Sequence, residues 1–204
     1  MSSPILTDIL AGKKIITVSG LHSGIGKTLL SEHIISLVPE IYAIKITIND
    51  AFTAVSDDES VIMVSGKDTW RLKTGGARKV VWIQSQEEHL AEALVKAVSR
   101  IPESINVLIE GNSVLHYMKP DLAIFICDQR LTDIQNVKPS RQNALQKADV
   151  IINNLRSGTV ADTTAVENIC RQINDNSPFI SLDISQEKPV FEYLETLLCE
   201  RGFS

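Results

Sequence analysis

The segment Gly20-Leu-His-Ser-Gly-Ile-Gly-Lys-Thr28 constrains this chain more than any other feature. Before it, Lys14–Gly20 is a β-branched run that predicts a buried strand. After it, Lys27–Val38 carries Leu30, Ile34, Leu37 and Val38 on one helical face, and Pro39 stops the predicted helix. A strand that turns sharply into a helix leaves free N–H groups and the positive end of the helix dipole at the turn. Gly24 and Gly26 let the backbone curl so that successive N–H groups face one point. Ser23, Gly24, Ile25, Gly26, Lys27, Thr28 and Leu29 are therefore the expected phosphate-binding residues. Lys27 is expected at the outer phosphates of a nucleotide, and the Thr28 hydroxyl at Mg²⁺.

The rest of the sequence repeats the alternation. Strands are expected at Ile41–Ile48, Lys79–Gln84, Ile105–Ile109, Leu122–Cys127, Asp149–Asn153 and Pro178–Asp183. Helices are expected at Lys67–Thr74, Glu87–Arg100, Ser140–Lys147 and Thr163–Ile173, with a terminal helix that has Pro189 in its first turn. Ala51–Ser65 reads as irregular, with a short strand at Val61–Val64 and a solvated acidic loop at Asp57-Asp58-Glu59. Strands alternating with helices imply an α/β fold in three layers, a mostly parallel sheet covered by helices on both faces. No repeat or linker divides the 204 residues, so one domain spanning 1–204 is expected.

Composition narrows the partners. The net charge of −5 and the 5% aromatic content argue against a nucleic-acid binder, which needs a basic face and stacking platforms. Cys127, Cys170 and Cys199 are widely spaced with no CxxC pair, so neither a zinc site nor a disulfide framework is expected. Cys127 and Cys170 read as buried apolar residues. The N-terminus, Met1 to Leu10, lacks the charged and apolar regions of a secretory signal, and no apolar run is long enough for a membrane helix. A cytoplasmic chain is expected. His22, His33, His89 and His116 are scattered, and Trp70 and Trp82 read as packing residues.

The usual phosphate loop is GxxxxGK[ST]. Counting back from Gly26 puts Leu21 at the first position, with Gly20 one residue too early. With that departure, GLHSGIGKT resembles the variant loop of dethiobiotin synthetase and the cobyrinic acid a,c-diamide synthases, a branch of the P-loop NTPases. The resemblance covers the first strand through the first helix. It implies that Lys45, at the end of Ala43-Ile-Lys-Ile-Thr47, faces the phosphates or an acidic substrate.

Gly66-Lys-Asp-Thr-Trp-Arg-Leu-Lys-Thr-Gly-Gly-Ala77 and the strand after it resemble the molybdopterin-guanine dinucleotide biosynthesis adapter family. Asp68 and Thr69 match that family's Asp-Ser positions, which puts Asp68 near the nucleotide and its magnesium. Val107-Leu-Ile-Glu-Gly111 is similar to its Val-Glu-Gly segment, so Glu110 joins Thr28 and Asp68 as an expected metal-shell residue. Lys27, Lys45 and Glu110 are the expected catalytic residues, with Asn112 and Ser113 beside them as substrate contacts. Asn153 or Asn154, after a strand, is the expected base contact in this branch, and ordinary turn residues are the equal alternative.

Two readings follow. One is an adapter-like, Mg²⁺-dependent binder of ATP or GTP that acts on a pterin cofactor or a partner enzyme. The other is an ATP-dependent ligase that phosphorylates the carboxylate or carbamate of an acidic small molecule. Members of the branch commonly form homodimers. The sequence departs from the adapter family at Thr47–Ala51, where no histidine-rich stretch follows Lys45, and in the longer part after Cys127. No arginine is assignable by position to phosphoryl transfer.

Overall fold

The computed structural model describes residues 10–155 and 163–203. The reading of residues 1–9 as lacking a signal therefore lies outside the described residues. Among the described residues eight strands form one sheet in the order β3-β4-β2-β5-β1-β6-β7-β8. They are β1 (Lys14–Gly20), β2 (Tyr42–Ile48), β3 (Ala54–Ser56), β4 (Val80–Ser85), β5 (Asn106–Glu110), β6 (Leu122–Cys127), β7 (Val150–Asn154) and β8 (Phe179–Leu182). Every pairing is parallel except β3 with β4.

The helices are α1 (Lys27–Leu37), α2 (Glu59–Ile62), α3 (Asp68–Thr74), α4 (Leu90–Val98), α5 (Pro139–Gln146), α6 (Thr163–Arg171) and α7 (Glu187–Glu200). Successive strand residues point to opposite faces. All six residues of β6 are buried, and all of β1 after Lys14, so both faces of the central sheet are covered. That is the expected three-layer α/β arrangement. Among the described residues no helix is long and apolar enough to cross a membrane.

The chain leaves β1, forms α1 and returns as β2 on one side of β1, whereas β6 lies on the other side. Strand order therefore reverses beside β1, and the crevice at its carboxyl end is where open α/β sheets bind ligands.

Three local expectations need correction. Val61 is in a helix, not a strand: Asp58 caps α2 by accepting from the Ser60 amide at 2.8 Å, and Val64 is exposed rather than paired. The acidic run is also no free loop, because Asp57 pairs with Lys79 and Arg100. The helix expected from Glu87 begins as a 3₁₀ turn, Glu87–His89, and becomes α-helical only at Leu90. Cys127 and Cys170 are buried as expected, and their sulfurs lie 3.9 Å apart.

Candidate nucleotide-binding site

The glycine-rich turn joins β1 to α1 at the carboxyl edge of the sheet. Gly26 caps α1 with φ of 110°, a left-handed conformation that suits glycine, and a Cβ there would meet Asn154 Nδ2 at 3.1 Å. Gly20 serves differently. A Cβ at Gly20 would meet Ile25 Cγ2 at 2.8 Å and the Ile126 carbonyl at 3.1 Å, so this glycine is required by close approach. That explains its early place in the motif: Leu21 occupies the usual glycine position and is buried under the turn.

Two asparagines hold the turn. Asn112 Oδ1 accepts from the Gly20 amide at 2.8 Å, and its Nδ2 donates to the Gly20 carbonyl at 3.1 Å. Asn154 Nδ2 donates to the Ile25 carbonyl at 2.9 Å, while its Oδ1 accepts from Ile184 N at 3.1 Å. Asn112 and Asn154 thus shape the loop. Replacing Asn112 by alanine strips both partners from a buried backbone unit and is expected to cost about 1–3 kcal/mol. Urea denaturation reads this as a lower midpoint with an unchanged slope.

Lys27 Nζ donates to the His22 carbonyl at 2.9 Å, arching back over the turn. Burial lowers its pKa. Glu110 opposes that shift, while Lys45 and Arg141 add to it. His22 is fixed as well: Nδ1 lies 2.8 Å from the Ser23 carbonyl, and Nε2 lies 3.1 Å from Asp128, which also binds Arg130. Asp128 follows β6 and had no signal in the sequence.

The expected residues Thr28, Lys45, Asp68 and Glu110 come together. Glu110, at the end of β5, is 1% exposed. Thr28 Oγ1 donates toward both of its oxygens at 3.1 Å. Lys45 Nζ sits 2.5 Å from Glu110 Oε1 and 2.6 Å from Asp68 Oδ2. Burial disfavours the Lys45 charge, but the two carboxylates outweigh it and raise its pKa. Burial likewise works against the Asp68 charge, and Lys45 overcomes it and lowers that pKa. Asp68 opens α3, and Arg71 one turn later grips Glu32 of α1 through two nitrogens.

The remaining expectations divide. Ser23, Gly24, Gly26, Lys27, Thr28, Leu29, Lys45, Asp68 and Glu110 all line one cleft of about 380 Å³. Ile25 is fully buried beneath the turn and does not line this cleft; its carbonyl accepts from Asn154 Nδ2. Asn153 is 1% exposed, donates to Ser181 Oγ at 3.1 Å, and does not line this cleft. Ser113 Oγ donates to Glu87 Oε1 at 3.3 Å. Trp82 packs partly against the core, with Nε1 on Thr47 Oγ1 at 3.0 Å and the Lys67 ammonium 5.2 Å from its ring centre.

Sheet order, turn and following helix together define an α/β chain of the P-loop NTPase fold. No family model and no curated protein matches the sequence. Solved structures match the fold. HypB of Helicobacter pylori in complex with nickel superposes with a TM-score of 0.61 at 14% identity, over 97% of this chain and 91% of that one. The hydrogenase maturation factor HypB of Archaeoglobus fulgidus gives 0.58 at 18%, over 97% and 95%.

Proposed function

We propose that this chain binds ATP or GTP together with Mg²⁺. The observation that carries the reading is the convergence of the glycine turn, Lys27, Thr28 and Glu110 at the head of α1, on the carboxyl edge of the sheet. The loop amides and Lys27 would hold the phosphates. Among the described residues no three His, Cys, Asp or Glu side chains gather as a metal site. The donors here are a hydroxyl and two carboxylates, which suits magnesium, an ion that keeps most of its waters. Thr28, Glu110 and Asp68 would hold it, and the bound ion supplies charge neutralisation at the phosphates. Isothermal titration with ATP and GTP, with and without Mg²⁺, tests this; no binding of either nucleotide sinks the assignment.

The adapter reading assigns nucleotide binding to the control of a pterin cofactor or partner enzyme, in a cytoplasmic homodimer. Similarity to the adapter family's Asp68–Thr69 and Glu110 segments supports it. The ligase reading draws on a specific observation as well. A second cleft of about 480 Å³ adjoins the first and shares Ser23, Lys27, Lys45 and Asp68 with it, which leaves room for an acceptor beside the outer phosphate. In that reading Lys45 neutralises charge that builds up during transfer. Phosphate release that needs a carboxylic acid separates the ligase from an adapter, whose release needs a protein or pterin.

Binding is also expected to take up a proton at alkaline pH. Lys27 has a lowered pKa in the free protein, and polyphosphate beside it favours the charged form. Its pKa therefore rises on binding. Affinity is full below the free-protein value and falls as pH rises through it, towards the bound value. Titration calorimetry in buffers of different ionisation enthalpy reads this uptake, which should vanish in Lys27→Met protein that still binds at high nucleotide concentration.

A further inference from the structure

The second cleft contains a cation that the nucleotide does not account for. Arg141 lies in the first turn of α5 and lines this cleft with Lys138 and Ser140, as does Lys27. Every other arginine among the described residues is paired with a carboxylate: Arg71 with Glu32, Arg78 with Glu40, Arg100 with Asp57, Arg130 with Asp128, Arg171 with Glu167 and Arg201 with Asp149. Arg141 is half-buried and has no such partner among them. Its charge reaches Lys27. A half-buried guanidinium with no carboxylate partner among the described residues, lining an open cleft, leaves its charge available to an anion.

We propose that the second cleft binds a small carboxylic acid, with the carboxylate held by Arg141 and Lys138 and the rest of the molecule reaching towards Lys27 and Lys45. The planar fork of arginine matches a carboxylate with two parallel hydrogen bonds. Glu87, Asp50 and Asp68 also line the cleft, so negative charge is favoured only beside its cations, Arg141 and Lys138 at one place and Lys27 and Lys45 at another, and succinate offers one carboxylate to each. The volume suits a metabolite rather than a peptide. Because the cleft meets the phosphate loop at Lys27, this inference rests on the nucleotide reading above, and it names the class of acceptor.

The test uses the full chain saturated with MgADP, titrated with succinate and separately with inorganic phosphate. Binding is followed by the Arg141 side-chain N–H resonance and by calorimetry. Succinate is expected to bind with millimolar affinity and to shift that resonance. Arg141→Ala should weaken succinate about tenfold or more, Arg141→Lys should recover part of the loss, and Arg171→Ala should change nothing. Thermal melts check that each variant is folded, and for the Arg141 variants no loss of stability is expected, because that side chain has no carboxylate partner among the described residues. Succinate binding that is absent, or equal in wild type and Arg141→Ala, overturns the proposal, and phosphate binding in its place overturns the carboxylate assignment. If MgADP binds while succinate does not, only this inference fails; if MgADP itself does not bind, the nucleotide reading fails first.

Discussion

Lys27→Ala protein is expected to lose about 100-fold or more in affinity for ATP and GTP, close to 3 kcal/mol, while keeping its fold. A charged lysine at the outer phosphates makes charge-assisted hydrogen bonds worth about 1.5–3 kcal/mol each. In the free protein the same ammonium donates to the His22 carbonyl, and burial works against its charge. Its removal therefore takes away a desolvated cation and one hydrogen bond to a backbone oxygen. Nucleotide titration and a denaturant curve separate the two effects. Unchanged nucleotide affinity refutes the phosphate role. A collapse in stability instead assigns Lys27 to the fold.

Lys45→Ala is expected to do the opposite. It leaves Glu110 buried without its ammonium, and breaking a buried pair from one side costs about 3–5 kcal/mol. Thr28 alone cannot offset a desolvated carboxylate. Replacing both partners by apolar residues, as in Lys45→Met with Glu110→Leu, should restore most of the loss, because the buried Glu110 charge is then removed together with its partner. The pH dependence has a definite sign. Lys45 has a raised pKa, so its contribution is full below the unfolded lysine value and is lost as pH rises through the folded value. Asp68 has a lowered pKa, so its contribution is present above the unfolded carboxylate value and is lost as pH falls through the folded one. Wild-type stability should form a plateau between these limits, and Lys45→Ala should flatten both shoulders. Equal stability of Lys45→Ala and wild type across that range would falsify the assigned pairing.

Most of the fold was legible because its central strands are almost wholly buried. Runs such as Leu122–Cys127 are apolar throughout, and their alternation with helices implies parallel pairing. What escaped was the edge. Ala54–Ser56 is only three residues long, with each residue partly exposed, so no period shows in the sequence. Nearby Asp58 decided the conformation of Val61 through one capping bond that a β-branched run outweighed on paper.

The candidate site divides in the same way. Lys27, Thr28 and the glycines followed from local spacing. Lys45, Asp68 and Glu110 came from family resemblance, and they converge in the structure. Asp128 and Arg141 had no local pattern: His22 meets one, and the second cleft the other, only after the sheet brings distant segments to one edge. Asn153 shows the converse. Its strand-end position was visible, yet its side chain turns to Ser181 of β8, whose register with β7 the sequence did not give.

The grip of Arg71 on Glu32 has a consequence for the cost of binding. Thr28 stands at the start of α1 and Asp68 at the start of α3, and the grip fastens these helices to each other a turn beyond both. Thr28 and Asp68, which would hold the ion on the proposed reading, thus belong to one stiff jaw. On that reading little freedom would remain there for an arriving phosphate to freeze, because this part of the ordering entropy has already been lost in folding.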